Sequence, residues 1–445
     1  MPALRARAQP RGRPSRRTGK GKLTRPLLVA IAFCLGLAAW VPAAASASGA
    51  SPAQAYVDRR VTALPSSALL HDDPRTLIDP RRQQIAGTLV VYRRVLFLFW
   101  AFSQIYVLFW VWRSGTAARI RDALRRSVRN PVLLRFCFGT ALGAIAGVAS
   151  IPASLARYRV ALVFDQSSQP IAQWALDGLL RLTLDAVAVG LVVALALTLV
   201  ERTRQWWIYS IVGLFAASIV VGWLEPVTIA PLFNSYVPLA ATDPLAPRLH
   251  ALAEKAKVPR APFYVANVSR QTDLPSARVL GYAGTARIVL GDTLFRELTP
   301  GEIEFAAAQQ LDLYRHGDAA RTSFVFAFLF VLSIAAGVLL TDRVRFRGDD
   351  DALSRLALVG ALSGLAGLVA YPLYNGYSRH IERKADVFAL ELTGDRASAV
   401  RAFVRAADTR FVPFCTPRAV EIYFSAEPSL GTRIASATGR LNPCR

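Results

Sequence analysis

Residues 176–200 read LDGLLRLTLDAVAVGLVVALALTLV and residues 206–224 read WWIYSIVGLFAASIVVGWL, with only Glu201-Arg202-Thr203-Arg204-Gln205 between them. A helix that crosses a bilayer needs about 20 consecutive apolar residues, so this stretch reads as a tight hairpin of two membrane helices. Residues 91–112 and 131–152 before it, and 322–340 and 357–373 after it, are runs of the same kind. Apolar residues make up 53% of the 445, and mean hydropathy is +0.33. No internal repeat is visible. The fold expected from these runs is mainly α: a polytopic membrane protein with six transmembrane helices, or seven if an N-terminal run is retained.

The formal net charge of +23 does not point to nucleic acid. Much of the arginine lies in the N-terminal tail and in short loops between apolar runs, the distribution of a membrane topology, and no nucleic-acid partner is expected. The loop after the first span carries Arg113, Arg119, Arg121, Arg125, Arg126 and Arg129 and is placed on the cytoplasmic side. Alternation puts Arg202 and Arg204 there too, with Arg343, Arg345 and Arg347. Residues 225–321 and the tail after Leu373 then face outward. Residues 1–47 combine a basic leader, a short apolar core and an alanine-rich end, and read as a signal peptide or an uncleaved N-terminal anchor. Cys415 and Cys444 fall in the outward tail, either as a disulfide or as two free thiols. Cys34 in the leader and Cys137 in a span read as small apolar fillers.

Between the spans the pattern changes to that of a compact α/β unit. Residues 245–257 have helical spacing, residues 262–268 and 277–281 read as short strands, and Arg287-Ile288-Val289-Leu290-Gly291-Asp292 reads as a strand entering a turn. Thr299-Pro300-Gly301-Glu302 starts a helix, with threonine as N-cap, proline at N1 and glutamate at N3. That start sets the register of Gly301-Glu302-Ile303-Glu304-Phe305-Ala306-Ala307-Ala308-Gln309-Gln310-Leu311-Asp312-Leu313, in which positions 309 and 313 share a face. Zinc peptidases place two histidines at that spacing, with a glutamate after the first as general base. Here the three positions hold Gln309, Leu313 and Gln310. Leucine binds no metal, and a neutral amide takes no proton from water near pH 7. His316 follows Asp312 at metal-pair spacing, but both are rotated away from that face and read as a solvated surface. His380 points off the face as well, and His71 and His250 have no ligand-like neighbours. Ser167 and Ser168 read as loop residues, and no serine elbow, catalytic cysteine or phosphate loop appears.

Four ordered motifs then carry a resemblance. Leu224-Glu225-Pro226-Val227-Thr228-Ile229-Ala230-Pro231-Leu232-Phe233-Asn234, Arg287-Ile288-Val289-Leu290-Gly291-Asp292-Thr293-Leu294, Ser378-Arg379-His380-Ile381-Glu382-Arg383-Lys384-Ala385-Asp386, and Phe424-Ser425-Ala426-Glu427-Pro428-Ser429-Leu430 with Arg433-Ile434 resemble the CAAX prenyl protease 1 family of integral-membrane zinc metallopeptidases. The likeness runs from about Val91 to Ile434 and looks like that of a bacterial member. It implies membrane helices enclosing a chamber and a small zincin-like α/β domain. The implied layout is an outward loop at 48–90, membrane helices at 91–226, the extramembrane domain with the site helix at 227–321, membrane helices at 322–374, and the rest of that domain at 375–445.

Carried over by position, the resemblance puts the family's zinc among 309, 313 and 382, with 310 as base; of these only Glu382 is retained. Asp386 stands where a carboxylate supports a zinc-bound histidine, and Glu427 replaces the motif histidine that assists the transition state. Ala277, Arg278, Val279, Leu280 and Gly281 resemble the edge strand that holds substrate, with Ser276 in place of an asparagine and Arg433 retained beside the groove. Glu382 is then either a ligand in a weakened metal site or a structural partner of Arg379 or Arg383. The expectation is a non-catalytic, peptide-binding or regulatory pseudoprotease of a bacterial-type cytoplasmic membrane, its zincin-like domain outward. Membrane lipid and extended or unfolded peptide segments are its expected partners, and no cofactor is expected although the family uses zinc. The alternatives are an active metalloendopeptidase with an unorthodox site around Glu382, Asp386, His316 or His380, and a purely structural membrane protein.

Overall fold

The computed structural model describes residues 59–203, 205–343 and 352–444. The leader expected at 1–47, Cys34, Arg204, Arg345 and Arg347 lie outside the described residues.

Six helices among the described residues are long and apolar enough to cross a membrane. They are α1 (Pro80–Arg113), α2 (Pro131–Val163), α3 (Ile171–Arg202), α4 (Trp206–Thr228), α7 (Asp318–Arg343) and α8 (Ala352–Thr393). Each contains one of the apolar runs of the sequence. Leu179, Leu191, Val212, Phe328 and Val369 are exposed on them, which is stable only where lipid replaces water. The α2–α3 pair approaches closely through small residues. A Cβ on Gly139 would lie 2.8 Å from the Val193 side chain, and one on Gly143 would lie 2.9 Å from the Ala186 backbone. Without a hydrophobic drive between helices in lipid, such backbone contact supplies the packing.

The extramembrane unit is built on α5 (Ala246–Lys255) and a four-stranded sheet in the order β1-β2-β4-β3, where β1 is Tyr236–Pro238, β2 Phe263–Ala266, β3 Ala277–Leu280 and β4 Arg287–Gly291. β4 runs parallel to β2 and antiparallel to β3, so β3 is an edge strand. The site helix α6 (Pro300–His316) begins where expected, with Glu302 Oε2 accepting from Thr299 N at 2.8 Å. Its Ala307 and Leu311 pack on the sheet with Ile288 and Leu290. Three later helices, α9 (Arg396–Thr409), α10 (Arg418–Phe424) and α11 (Leu430–Thr438), complete the unit. Cys415 and Cys444 are joined in a disulfide, with Cα atoms 5.4 Å apart.

Two expected boundaries change. Residues 59–90 are not a loop. Asp79 caps α1 by accepting from Arg81 N at 2.8 Å, and Pro80 occupies N1, so the first span starts at Pro80 rather than Val91. The segment before it packs on α9: Leu69 and Leu77 join Phe403 and Val404 in one core, and Arg60 pairs with the fully buried Asp408. The boundary at 374/375 also disappears, because α8 continues unbroken to Thr393. At 1.5 Å per residue it is about 60 Å long, roughly twice the hydrocarbon core, so a membrane span and a site-bearing helix are one rod.

Glu302 does more than cap α6. Its carboxylate is fully buried and receives Arg405 Nε at 2.9 Å and Nη2 at 3.2 Å from α9. Removing one partner of such a pair leaves a buried charge uncompensated. Glu302→Ala is expected to destabilise the extramembrane unit by about 3–5 kcal/mol, read as a lower midpoint in denaturant unfolding of the detergent-solubilised chain.

Candidate functional site

Three elements bring the site residues together. α6 supplies Gln309 and the buried Gln310. The part of α8 beyond its apolar run supplies Glu382 and Asp386, four residues apart on one face. α11 supplies Arg433, and the turn before it supplies Glu427. That turn is tied to α8. Arg379 Nη1 donates to the Glu421 carbonyl at 2.7 Å and to the Ile422 carbonyl at 3.3 Å. It donates to the Ser425 carbonyl as well, so it satisfies the C-terminal carbonyls of α10. Asn375 Nδ2 donates to the Tyr423 carbonyl at 2.6 Å. Arg379 is therefore not the partner of Glu382 that the sequence allowed.

The side chains close into a network around Asp386. Arg433 Nε donates to Asp386 Oδ2 at 2.8 Å and Arg433 Nη2 to Oδ1 at 2.7 Å, a two-pronged charge-assisted pair. Gln309 Nε2 donates to the same Oδ1 at 2.5 Å. Arg433 Nη1 reaches on to Glu427 Oε2 at 3.0 Å, and its guanidinium lies 4.5 Å from the centre of the Phe403 ring. Arg433 was expected beside the substrate groove; its side chain is only 9% exposed and is held by the two carboxylates instead.

Glu382 stands apart. Among the described residues it accepts no hydrogen bond and forms no ion pair. Burial pushes its carboxyl from 4.5 up to about 7; the neighbouring Glu427 charge adds to the rise, and Arg433 opposes it. Burial would raise Glu427 as well, but the Arg410 and Arg433 guanidinia outweigh it and hold that carboxyl below its usual range. The two carboxyls thus differ, one ionised and one half-protonated near neutrality.

These residues do not fit a zinc ion. A catalytic zinc takes three protein ligands. Position 313 offers a hydrocarbon, the Gln309 amide is already donating to Asp386, and Glu382 is left as a lone carboxylate. Gln310, at the position of the base, has no proton affinity to offer.

The remaining histidines lie elsewhere. His316 Nδ1 is 2.8 Å from Asp312 Oδ1, and His380 and Asp312 line one open cleft of about 420 Å³ together with Lys384. The Asp312–His316 pair is only half a solvated face: His316 is exposed, whereas Asp312 is 2% exposed, and the buried Asp318 from α7 joins it. His250 packs edge-on against Phe263, 5.9 Å between centroids. Ser167 Oγ donates to the Gln271 carbonyl at 2.7 Å and Ser168 Oγ to Asp273 Oδ1 at 3.0 Å, tying the α2–α3 loop to the sheet domain. The groove residues of β3 lie at the free edge, with Ala277 and Val279 against the same core as α6. The strand stops at Gly281 (φ +69°), where a Cβ would come within 2.5 Å of Pro226 Cγ.

Comparison with known proteins agrees with the fold. Peptidase family M48 matches residues 240–441, and the CAAX prenyl protease N-terminal family, described by five membrane helices, matches residues 83–235. The chain belongs to peptidase family M48, in the membrane branch that carries the CAAX prenyl protease helices. It is 26% identical over 378 residues to the uncharacterized metalloprotease YhfN of Bacillus subtilis, covering 82% of this chain and 87% of that protein. It is 25% identical over 344 residues to the CAAX prenyl protease 1 homolog of Arabidopsis thaliana, covering 75% and 80%. The crystal structure of S. mikatae Ste24p shares the fold, with a TM-score of 0.69 at 18% identity over 92% of this chain and 98% of that one. M48 proteins are zinc metallopeptidases.

The raised carboxyl gives a pH signature. Between pH 4.5 and about 7 the folded protein holds a proton on Glu382 that the unfolded chain releases. Its contribution to stability is full below 4.5 and is lost as pH rises through about 7. Glu382→Gln is expected to remove this slope and to be more stable than the parent at about pH 8, by on the order of 1–3 kcal/mol. Thermal melts of both chains across that range check it.

Proposed function

We propose that this chain is a non-hydrolytic member of family M48: a membrane protein that binds extended peptide segments in the family's groove without cutting them. The single observation that carries the reading is the engagement of Gln309, Asp386 and Arg433 with one another at the place where the family's metal chemistry belongs. Hydrolysis needs a water made nucleophilic at neutral pH. A lone Glu382 with a glutamine at 309 and a leucine at 313 supplies neither metal nor geometry for that.

Peptide binding is supported by the edge strand. Among the described residues β3 pairs only with β4, so the backbone donors and acceptors of its other edge are available for an extended peptide to add as a strand along residues 276–281. We place the extramembrane unit on the outward face of a bacterial-type cytoplasmic membrane. The arginine-rich loops, with Arg119, Arg125 and Arg126 on the opposite side, support this, and so does a disulfide in the C-terminal segment, which persists in an oxidising compartment. Work as a holder of unfolded segments or as a regulator of an active relative follows from the same groove.

Two outcomes test the reading. A photo-crosslinking residue at Val279 in the full chain is expected to capture an added extended peptide and leave it intact, with and without zinc. Zinc-dependent cleavage that disappears in Glu382→Gln would instead establish the active-peptidase alternative, and no capture would favour a structural protein. Conversely, Gln309→His with Gln310→Glu and Leu313→His is expected to gain about one equivalent of chelator-removable zinc in the chamber, measured by metal analysis against the parent chain.

A further inference from the structure

The end of the site helix holds a second group of metal-ligand side chains, away from the chamber. Asp312 lies near the end of α6, His316 is its last residue, Gly317 turns the chain in the left-handed region (φ 63°), and Asp318 opens the membrane helix α7. One ligand atom from each of Asp312, His316 and Asp318 lies within 4.8 Å of the others. Asp312 and Asp318 are 2% and 1% exposed, unlike the solvated carboxylates of an ordinary helix surface.

Each carboxylate has a charged or imidazole neighbour but is hydrogen-bonded through only one of its oxygens. His316 Nδ1 meets Asp312 Oδ1, and Arg321 Nη1 meets Asp318 Oδ1 at 3.1 Å. The second oxygen of each carboxylate, Oδ2 in both, is buried and has no hydrogen-bond partner. The Lys384 ammonium pairs with Asp318 Oδ2 at 3.7 Å, an ion pair longer than a hydrogen bond, and Asp312 Oδ2 has no such partner among the described residues. A buried carboxylate oxygen that no protein donor reaches is unfavourable unless something pairs with it, and a bound cation is one group that does so.

We propose that Asp312, His316 and Asp318 form a binding site for a divalent transition metal of the zinc class. An imidazole with two carboxylates suits zinc and its first-row neighbours, whereas magnesium and calcium prefer oxygen-only sites. Three protein ligands leave one position for water, reached from the cleft that Asp312, His380 and Lys384 line. The metal takes the place of the proton shared by His316 and Asp312, and Lys384 withdraws into the cleft. A bound ion ties the last turn of α6 to the first turn of α7 across the Gly317 break, so it fixes how the site helix is set on its membrane span. This inference is independent of whether the chamber hydrolyses peptides.

The test uses the full chain in detergent, purified through a histidine-free tag, loaded with zinc and desalted. Bound zinc near one equivalent is expected for the parent and for Glu382→Gln. His316→Ala and Asp312→Asn are expected to bind about 100-fold more weakly and to retain almost none. His316 is exposed, so its removal leaves the core intact, and the same variants are followed by melting: zinc raises Tm for the parent and not for His316→Ala. Absence of zinc from the parent overturns the site. So does zinc that survives His316→Ala, or zinc that is lost instead in Glu382→Gln, which would move the ion to the chamber.

Discussion

Asp386 accepts three hydrogen bonds, two from Arg433 and one from Gln309, and the form of the candidate site depends on that carboxylate. The side chains come from three elements distant in sequence, so the pair cannot form until α6, α8 and α11 have assembled. Once formed, it draws the guanidinium between Asp386 and Glu427 and over the Phe403 ring. A charge-assisted pair of this kind, only slightly exposed, holds its geometry more firmly than a surface ion pair. The amide of Gln309 completes it by pointing its donor, not its acceptor, at the carboxylate.

The second constraint is mechanical. α8 is both a membrane span and the carrier of Glu382 and Asp386, and Arg379 and Asn375 on the same rod hold the segment that leads to Glu427. α7 begins one residue after α6 ends. The site is therefore suspended between two membrane helices, and the sheet only closes one side of it. Between each span and the site stands one helix-breaking residue, Gly317 before α7 and Pro372 within α8, rather than a loop.

Much of this was legible in the sequence because lipid leaves a spanning chain few choices. The six apolar runs became six helices, and the Thr299–Glu302 cap set α6 in the expected register. The short strands read at 262–268, 277–281 and 287–292 also appeared, each within a residue or two of its reading. The start of α1 was missed although Asp79-Pro80 signals it, because the apolar run begins later than the helix. Long-range pairing was not legible. Arg433 looked like a groove residue until Asp386 and Glu427 came within reach of it. Asp312 looked solvated because helix rotation fixes direction but not what packs there; it is 2% exposed, and Asp318 arrives through a glycine turn. The Cys415–Cys444 pairing likewise required distances that spacing does not contain.

On the non-hydrolytic reading, Gln309, Leu313 and Glu382 together hold no metal ion. Anomalous scattering at the zinc edge, from crystals of the full chain soaked in zinc, reads this most directly. No anomalous peak is expected within coordination distance of Glu382, with the Gln309 amide still on Asp386. A well-occupied peak bonded to Glu382, with Asp386 or Glu427 turned toward it and released from Arg433, would contradict it.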